Sequence, residues 1–146
     1  MRNKSSQIEK LFLDTRQQTI SLCNSLEPED MVLQTSENVS PIKWHLGHTT
    51  WFFEKFILSE LDANYKPFNK DYNFIFNSYY NSVGQFNPRN KRGHLNRPLL
   101  KDVIKYRDHV TENIISFTKK SNNNRISFLI ELGINHEQQH QELMLM

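Results

Sequence analysis

Glycine is scarce in this chain, with 4 among 146 residues, and runs of β-branched residues are missing. Strands are therefore not expected, and the pattern has to be read for helices. Cysteine occurs once, at Cys23, which excludes an internal disulfide and fits a reducing compartment. No apolar run approaches the ~18 residues that a membrane span needs. The opening Met1–Glu9 segment has no hydrophobic centre of the signal-peptide kind, so a cytoplasmic protein is expected. No charge of one sign dominates either. A net charge of +2 is too mild for a nucleic-acid binder, which needs a concentrated basic face.

What is present is a globular composition, 37% hydrophobic, 12% aromatic and 23% charged, which separates the chain from disordered ones. With no repeat and no linker, residues 1–146 read as a single domain, long enough to bury a core. Four helical patterns stand out. The first runs from about Ser6 to Leu26 and stops at Glu27-Pro28. Its stripe Ile8, Leu11, Phe12, Thr15, Thr19, Leu22, Cys23, Leu26 makes Cys23 a small buried hydrophobe. The second opens at Ser40-Pro41, an N-cap followed by proline at the first helical position, and reaches about Leu61. The third starts near Asn96 to Pro98 and carries Leu100, Val103, Ile104, Arg107, Val110 and Ile114 to about Thr118. The fourth opens after the turn cluster Ser121-Asn122-Asn123-Asn124 and runs to the end. The fold class expected is all-α, an up-and-down four-helix bundle. Residues 62–96 form one long connection, with a short helix expected around Phe74 to Ser82 and then a loop with Gly84, Pro88 and Gly93. A connection of that length in a small bundle points to function.

The chemistry lies in two histidine pairs. His136 and His140 stand four apart, so on a helix their imidazoles point the same way, one turn above the other. They share the stripe Leu129, Leu132, His136, His140, Leu143, which a core-facing helix carries inward. His45 and His48 lie in the second helix, within Trp44-His45-Leu46-Gly47-His48-Thr49-Thr50-Trp51. In an antiparallel bundle the second and fourth helices can face each other, and metal sites form between such faces. The expected ligands are His48, His136 and His140. His45 is expected behind the ligands or at the surface, and Gly47 is expected to allow close helix approach. His136-Glu137-Gln138-Gln139-His140 also fits the zinc peptidase pattern His-Glu-x-x-His. Against that reading, only six residues follow His140, and Gln141 and Glu142 replace the apolar residues expected there. The segment Pro88 to Pro98 holds Arg89, Lys91, Arg92 and Arg97 among turn formers. On spacing alone it fits a solvated loop as well as an anion-binding one.

Ser40 to Glu54, then Phe76-Asn77-Ser78-Tyr79-Tyr80, Arg92-Gly93 to Arg97-Pro98, Tyr106-Arg107 and His136 to Met144 together resemble, in order, the N-terminal domain of the ergothioneine-biosynthesis sulfoxide synthases. That domain is similar to the wider DinB-like (YfiT-like) metal-binding bundles. The resemblance implies a non-haem Fe(II) held by three histidines, here His48, His136 and His140. It implies O2-dependent joining of the sulfur of γ-glutamylcysteine, or of cysteine, to the imidazole of hercynine (N-α-trimethylhistidine). Gln139 matches a position used near hercynine. Arg89 and Arg92 are the best matches to arginines that bind the thiol substrate's carboxylates, with Arg97 as a rival. No catalytic side chain is expected in this chain itself. The resemblance implies a second domain, similar to formylglycine-generating enzymes, which supplies the other wall of the site. The apolar end Leu143-Met144-Leu145-Met146 is expected to continue into it. A free-standing DinB-like metal-dependent thiol S-transferase and a non-catalytic metal-binding bundle are the rival readings.

Overall fold

The computed structural model describes residues 2–78, 84–121 and 123–146. Helix α1 spans Arg2–Ser21, and a single turn, α2, follows at Pro28–Met31. Helix α3 spans Ile42–Phe53 and runs without a break through a π-helical turn at Glu54–Leu58 into α4, Ser59–Leu61. A short α5, Tyr72–Phe76, and a 3-10 turn at Arg89–His94 occupy the long connection. Helices α6, Leu100–Lys120, and α7, Asn124–Met144, complete the fold. Among the described residues the only β pairing is the isolated bridge Ser36–Val39. None of their helices is long and apolar enough to cross a membrane.

The long helices make the all-α bundle that the sequence leads one to expect. Side-chain contacts fix their directions. Lys43 meets Pro98, just ahead of α6, while Glu54 meets Tyr106, so α3 and α6 run the same way. His45 meets His140 while Phe52 stacks on His136, so α3 runs against α7. Thr118 meets Glu9 while Arg16 meets Thr111, so α6 runs against α1. The senses are therefore up, down, down, up, and the connection at 62–99, which joins two helices of the same sense, serves as the crossover.

Helix α3 sits in the middle, and Lys43 to Glu54 are all buried. Its buried polar side chains, Lys43, His45, His48, Thr49 and Thr50, all make hydrogen bonds, as such a position requires. Two glycines allow the packing around it. A Cβ on Gly133 of α7 would lie 2.3 Å from the Phe53 ring. A Cβ on Gly47 would lie 2.1 Å from the ring of Phe76, so Gly47 admits a ring from α5 rather than a neighbouring helix.

Several local expectations shift. Pro41, not Ser40, is the N-cap of α3, and the Ser40 hydroxyl instead accepts from Arg92. Helix α1 ends at Ser21, a turn earlier than its stripe suggests, and Cys23 is buried beyond it. The short helix expected at Phe74–Ser82 forms at Tyr72–Phe76; Tyr79, Tyr80 and Ser82 lie outside the described residues, as does Asn122 of the cap cluster. Asn123 caps α7 by accepting from the Ile126 amide at 3.0 Å. The largest shift is rotational. Leu132 and Leu143, expected inward, are 44% and 37% exposed, and the buried face of α7 is Ile126, Ile130, Gly133, Ile134, Glu137 and His140.

Candidate metal centre

Glu137 explains the rotation of α7. Its carboxylate is fully buried and accepts from Arg16 Nη1 at 3.0 Å, Arg107 Nη2 at 2.8 Å and Thr19 Oγ1 at 2.7 Å. Burial alone would disfavour its charge, but the two guanidiniums outweigh that and hold the carboxyl at about 2. Arg16 and Arg107 are themselves buried and also bond Thr50. A carboxylate with two buried cations as partners belongs in the interior. Turning Glu137 inward brings His136 and His140 to the edge of the buried face, where they border a cleft instead of disappearing into the core.

The same geometry removes the peptidase reading. A general base must face the metal, and Glu137 faces the opposite way, with both oxygens engaged by α1 and α6.

Across from α7, α3 presents His48, which is 2% exposed. Its Nδ1–H donates to the Phe76 carbonyl at 2.6 Å, which leaves Nε2 bare. That Nε2 lies 3.1 Å from His136 Nε2. His48, His136 and His140 each bring a ring nitrogen within 4.8 Å of the others. Nitrogens sharing one ion at a metal–nitrogen distance of ~2.1 Å stand roughly 3 to 3.5 Å apart. The His48–His136 pair already has that spacing, and the cluster as a whole would close by a small side-chain rotation onto an ion. Burial lowers every one of these imidazoles. His136 falls to about 4, His140 to about 2 with help from His136 and His45, and His48 goes well below its ordinary value with help from His140 and His136. Neutral imidazoles keep the lone pairs a metal needs. His136 Nδ1 is also buried without a hydrogen-bond partner, the state in which a ring nitrogen is free to take a ligand. The donor set fits a divalent ion.

His45, 5% exposed, is part of this cluster. Its Nδ1 lies 2.9 Å from His140 Nδ1. Burial first, then Arg92 and Arg89, lowers it to about 4.

The histidines open on a cleft of about 580 Å³, and Arg89, Arg92 and Gln139 also line it. The expected site residues thus meet in one place. Their states differ. Arg92 is 5% exposed, donates to Ser40 Oγ at 2.7 Å and Ser78 Oγ at 3.0 Å, and lies 3.5 Å above the Trp44 ring. Arg89 and Gln139 are exposed. Arg97 lines other hollows and does not border this cleft. His136 and Gln139 also border a second, more apolar cleft with Phe52, Phe56, Leu129 and Leu132.

Sequence reasoning did not anticipate the Arg16–Glu137–Arg107 cluster. One signal was available: Arg107 interrupts the apolar stripe of α6, and a charge there asks for a buried partner.

A family model described as DinB superfamily matches residues 11–144. No curated protein matches the chain.

Proposed function

The chain belongs to the DinB superfamily, and we propose that it is the iron-binding domain of a sulfoxide synthase of the ergothioneine-biosynthesis kind, with Fe(II) held by His48, His136 and His140. The observation that carries the reading is the meeting of three neutral histidines with Arg89, Arg92 and Gln139 at one cleft. Bound there, Fe(II) would supply redox capacity and open positions for a thiolate and O2, which three neutral ligands leave available.

The chain's own residues supply the rest. The Phe76 carbonyl fixes the His48 ring so that Nε2 faces its partners. Arg89, at the exposed edge, draws in the carboxylates of γ-glutamylcysteine or cysteine, and Arg92 adds a fixed positive charge behind it. Gln139 offers an amide to the hercynine imidazole. Overall, a C–H and an S–H bond break, a C–S bond and a sulfoxide S–O bond form, and the second oxygen atom of O2 leaves as water. In this reading a second domain closes the cleft.

Metal analysis under anaerobic conditions tests it. The wild type should hold about one Fe(II) per chain, with less than about a tenth of that in His136→Ala and His140→Ala. Full retention in those two variants would overturn the site. Hercynine and γ-glutamylcysteine should then each perturb the spectrum of the loaded protein. A metal-loaded protein that answers the thiol but not hercynine is the S-transferase, and one that answers neither is a binding bundle.

A further inference from the structure

The contact between His45 and His140 carries information that the three-histidine cluster does not. The two Nδ1 atoms stand 2.9 Å apart, both rings are nearly enclosed, and their centroids are 5.2 Å apart at 53°. At that separation one nitrogen must carry the proton and the other must accept it. The tautomer of each ring is therefore set by the other.

Two arrangements exist. If His140 Nδ1 is the acceptor, its proton sits on Nε2, and that nitrogen has no lone pair for a metal. If His140 Nδ1–H donates, Nε2 is bare. Only the second leaves His140 with a usable lone pair, because Nδ1 is occupied by His45 in both. His48 follows the same rule: its Nδ1–H donates to the Phe76 carbonyl and its bare Nε2 faces His136. A histidine ligand ordinarily has its second nitrogen held by a carbonyl or carboxylate, which fixes the ring and its tautomer. Here a carbonyl does this for His48, while an imidazole does it for His140.

Resting on the metal reading above, we propose that His45 is a positioning residue: its bare Nδ1 accepts the His140 Nδ1–H, turns His140 Nε2 toward the ion, and is not itself a ligand. It follows that His45 carries its own proton on Nε2. His45 lines the cleft together with Arg89 and Arg92, so the residue that orients a ligand also adds a neutral N–H donor to the wall that faces an anion. Trp44 packs edge-on to His45 with centroids 5.2 Å apart and tilts against His140, which leaves little room for the pair to rotate.

The test uses Zn(II) and Co(II) with the full chain and three variants. His45→Asn keeps an acceptor near the place of Nδ1, while His45→Phe keeps the ring and removes it. Zn(II) affinity should fall about 10- to 100-fold in His45→Phe and recover to within about threefold of wild type in His45→Asn. The visible spectrum of the Co(II) protein should shift in His45→Phe but retain its intensity pattern in His45→Asn. Long-range 15N–1H correlation on the Zn(II) protein should show His140 protonated at Nδ1 and His45 at Nε2. Equal weakening by Phe and Asn, or the opposite tautomers, overturns the proposal. So does abolished binding in both variants, which makes His45 a ligand. Failure of the wild type to bind metal, with His136→Ala as the blank, would instead reject the metal reading on which the proposal rests.

Discussion

Arg92 and Arg89 look interchangeable in the sequence, since both belong to one basic segment, yet their surroundings separate them. Arg92 spreads its fork over two hydroxyls and lies on the face of Trp44. A lysine there keeps the charge but loses the planar fork and much of the stacking. Arg92→Lys should cost about 1 to 3 kcal/mol, read as a lower denaturant midpoint with an unchanged slope. Arg89 is exposed, and Arg89→Lys should leave the midpoint within about 0.5 kcal/mol of wild type. Equal effects of the two changes would mean that Arg92 is not held as described. The same contrast bears on substrate. Of the two arginines only Arg89 stands at the exposed edge, so under the proposed function Arg89→Lys should lose more thiol affinity than stability.

At the scale of elements, the decisive object is α7, whose rotation sets both the buried salt-bridge cluster and the place of the candidate metal ligands. Glu137→Gln removes the charge that Arg16 and Arg107 share and leaves two buried cations facing a neutral amide. Breaking such a cluster costs about 3 to 5 kcal/mol, measurable by urea unfolding, and a loss under about 1 kcal/mol would show that the carboxylate is not the keystone of the bundle. The two tight glycines give a paired prediction. Gly133→Ala gains helix propensity of about 1 kcal/mol but drives a methyl group into the Phe53 ring, so a net loss of about 1 to 2 kcal/mol is expected. Gly47→Ala pushes on Phe76, whose carbonyl holds His48. It should therefore lower metal affinity as well as the unfolding midpoint, whereas Gly133→Ala should lower the midpoint far more than the affinity.

These elements also show what could be read in advance. Helix positions were legible because apolar residues recur at three and four in α1, α3, α6 and α7, and periodicity survives tertiary context. The meeting of His136 and His140 with a histidine of α3 was legible because a spacing of four puts two imidazoles on one helix face and α3 carries the second histidine pair. The rotation of α7 was not legible. Glu137 reads as a surface residue until Arg16 and Arg107 are brought beside it from 121 and 30 positions away in sequence. The π-helical turn at Glu54–Leu58 was likewise hidden. The Glu54 carboxylate collects the hydroxyl of Tyr65 and the amide of Phe68 from the connection and the hydroxyl of Tyr106 from α6, partners that only the folded chain supplies.

For the whole molecule, the candidate metal centre joins parts that only a complete fold brings together. His48 and His136 are 88 positions apart, and the carbonyl that holds His48 comes from a third segment. An unfolded chain cannot present this arrangement, so a bound ion stabilises the folded state by mass action. At a free metal concentration 100 times the dissociation constant, the gain is about 2.7 kcal/mol. Added Zn(II) should accordingly raise the thermal midpoint by several degrees, and a chelator should return it to the metal-free value. His140→Ala removes a buried ring that also bonds His45 and packs near Trp44, so the metal-free protein should lose about 1 to 3 kcal/mol. On top of that loss it should abolish the metal-dependent rise. Leu132→Ala gives the contrast: exposed on the far side of His136, beside the apolar cleft, it should preserve the whole metal-dependent rise. If Zn(II) stabilises wild type and His140→Ala alike, the ion is binding elsewhere on the bundle, and the three histidines are only packed against one another.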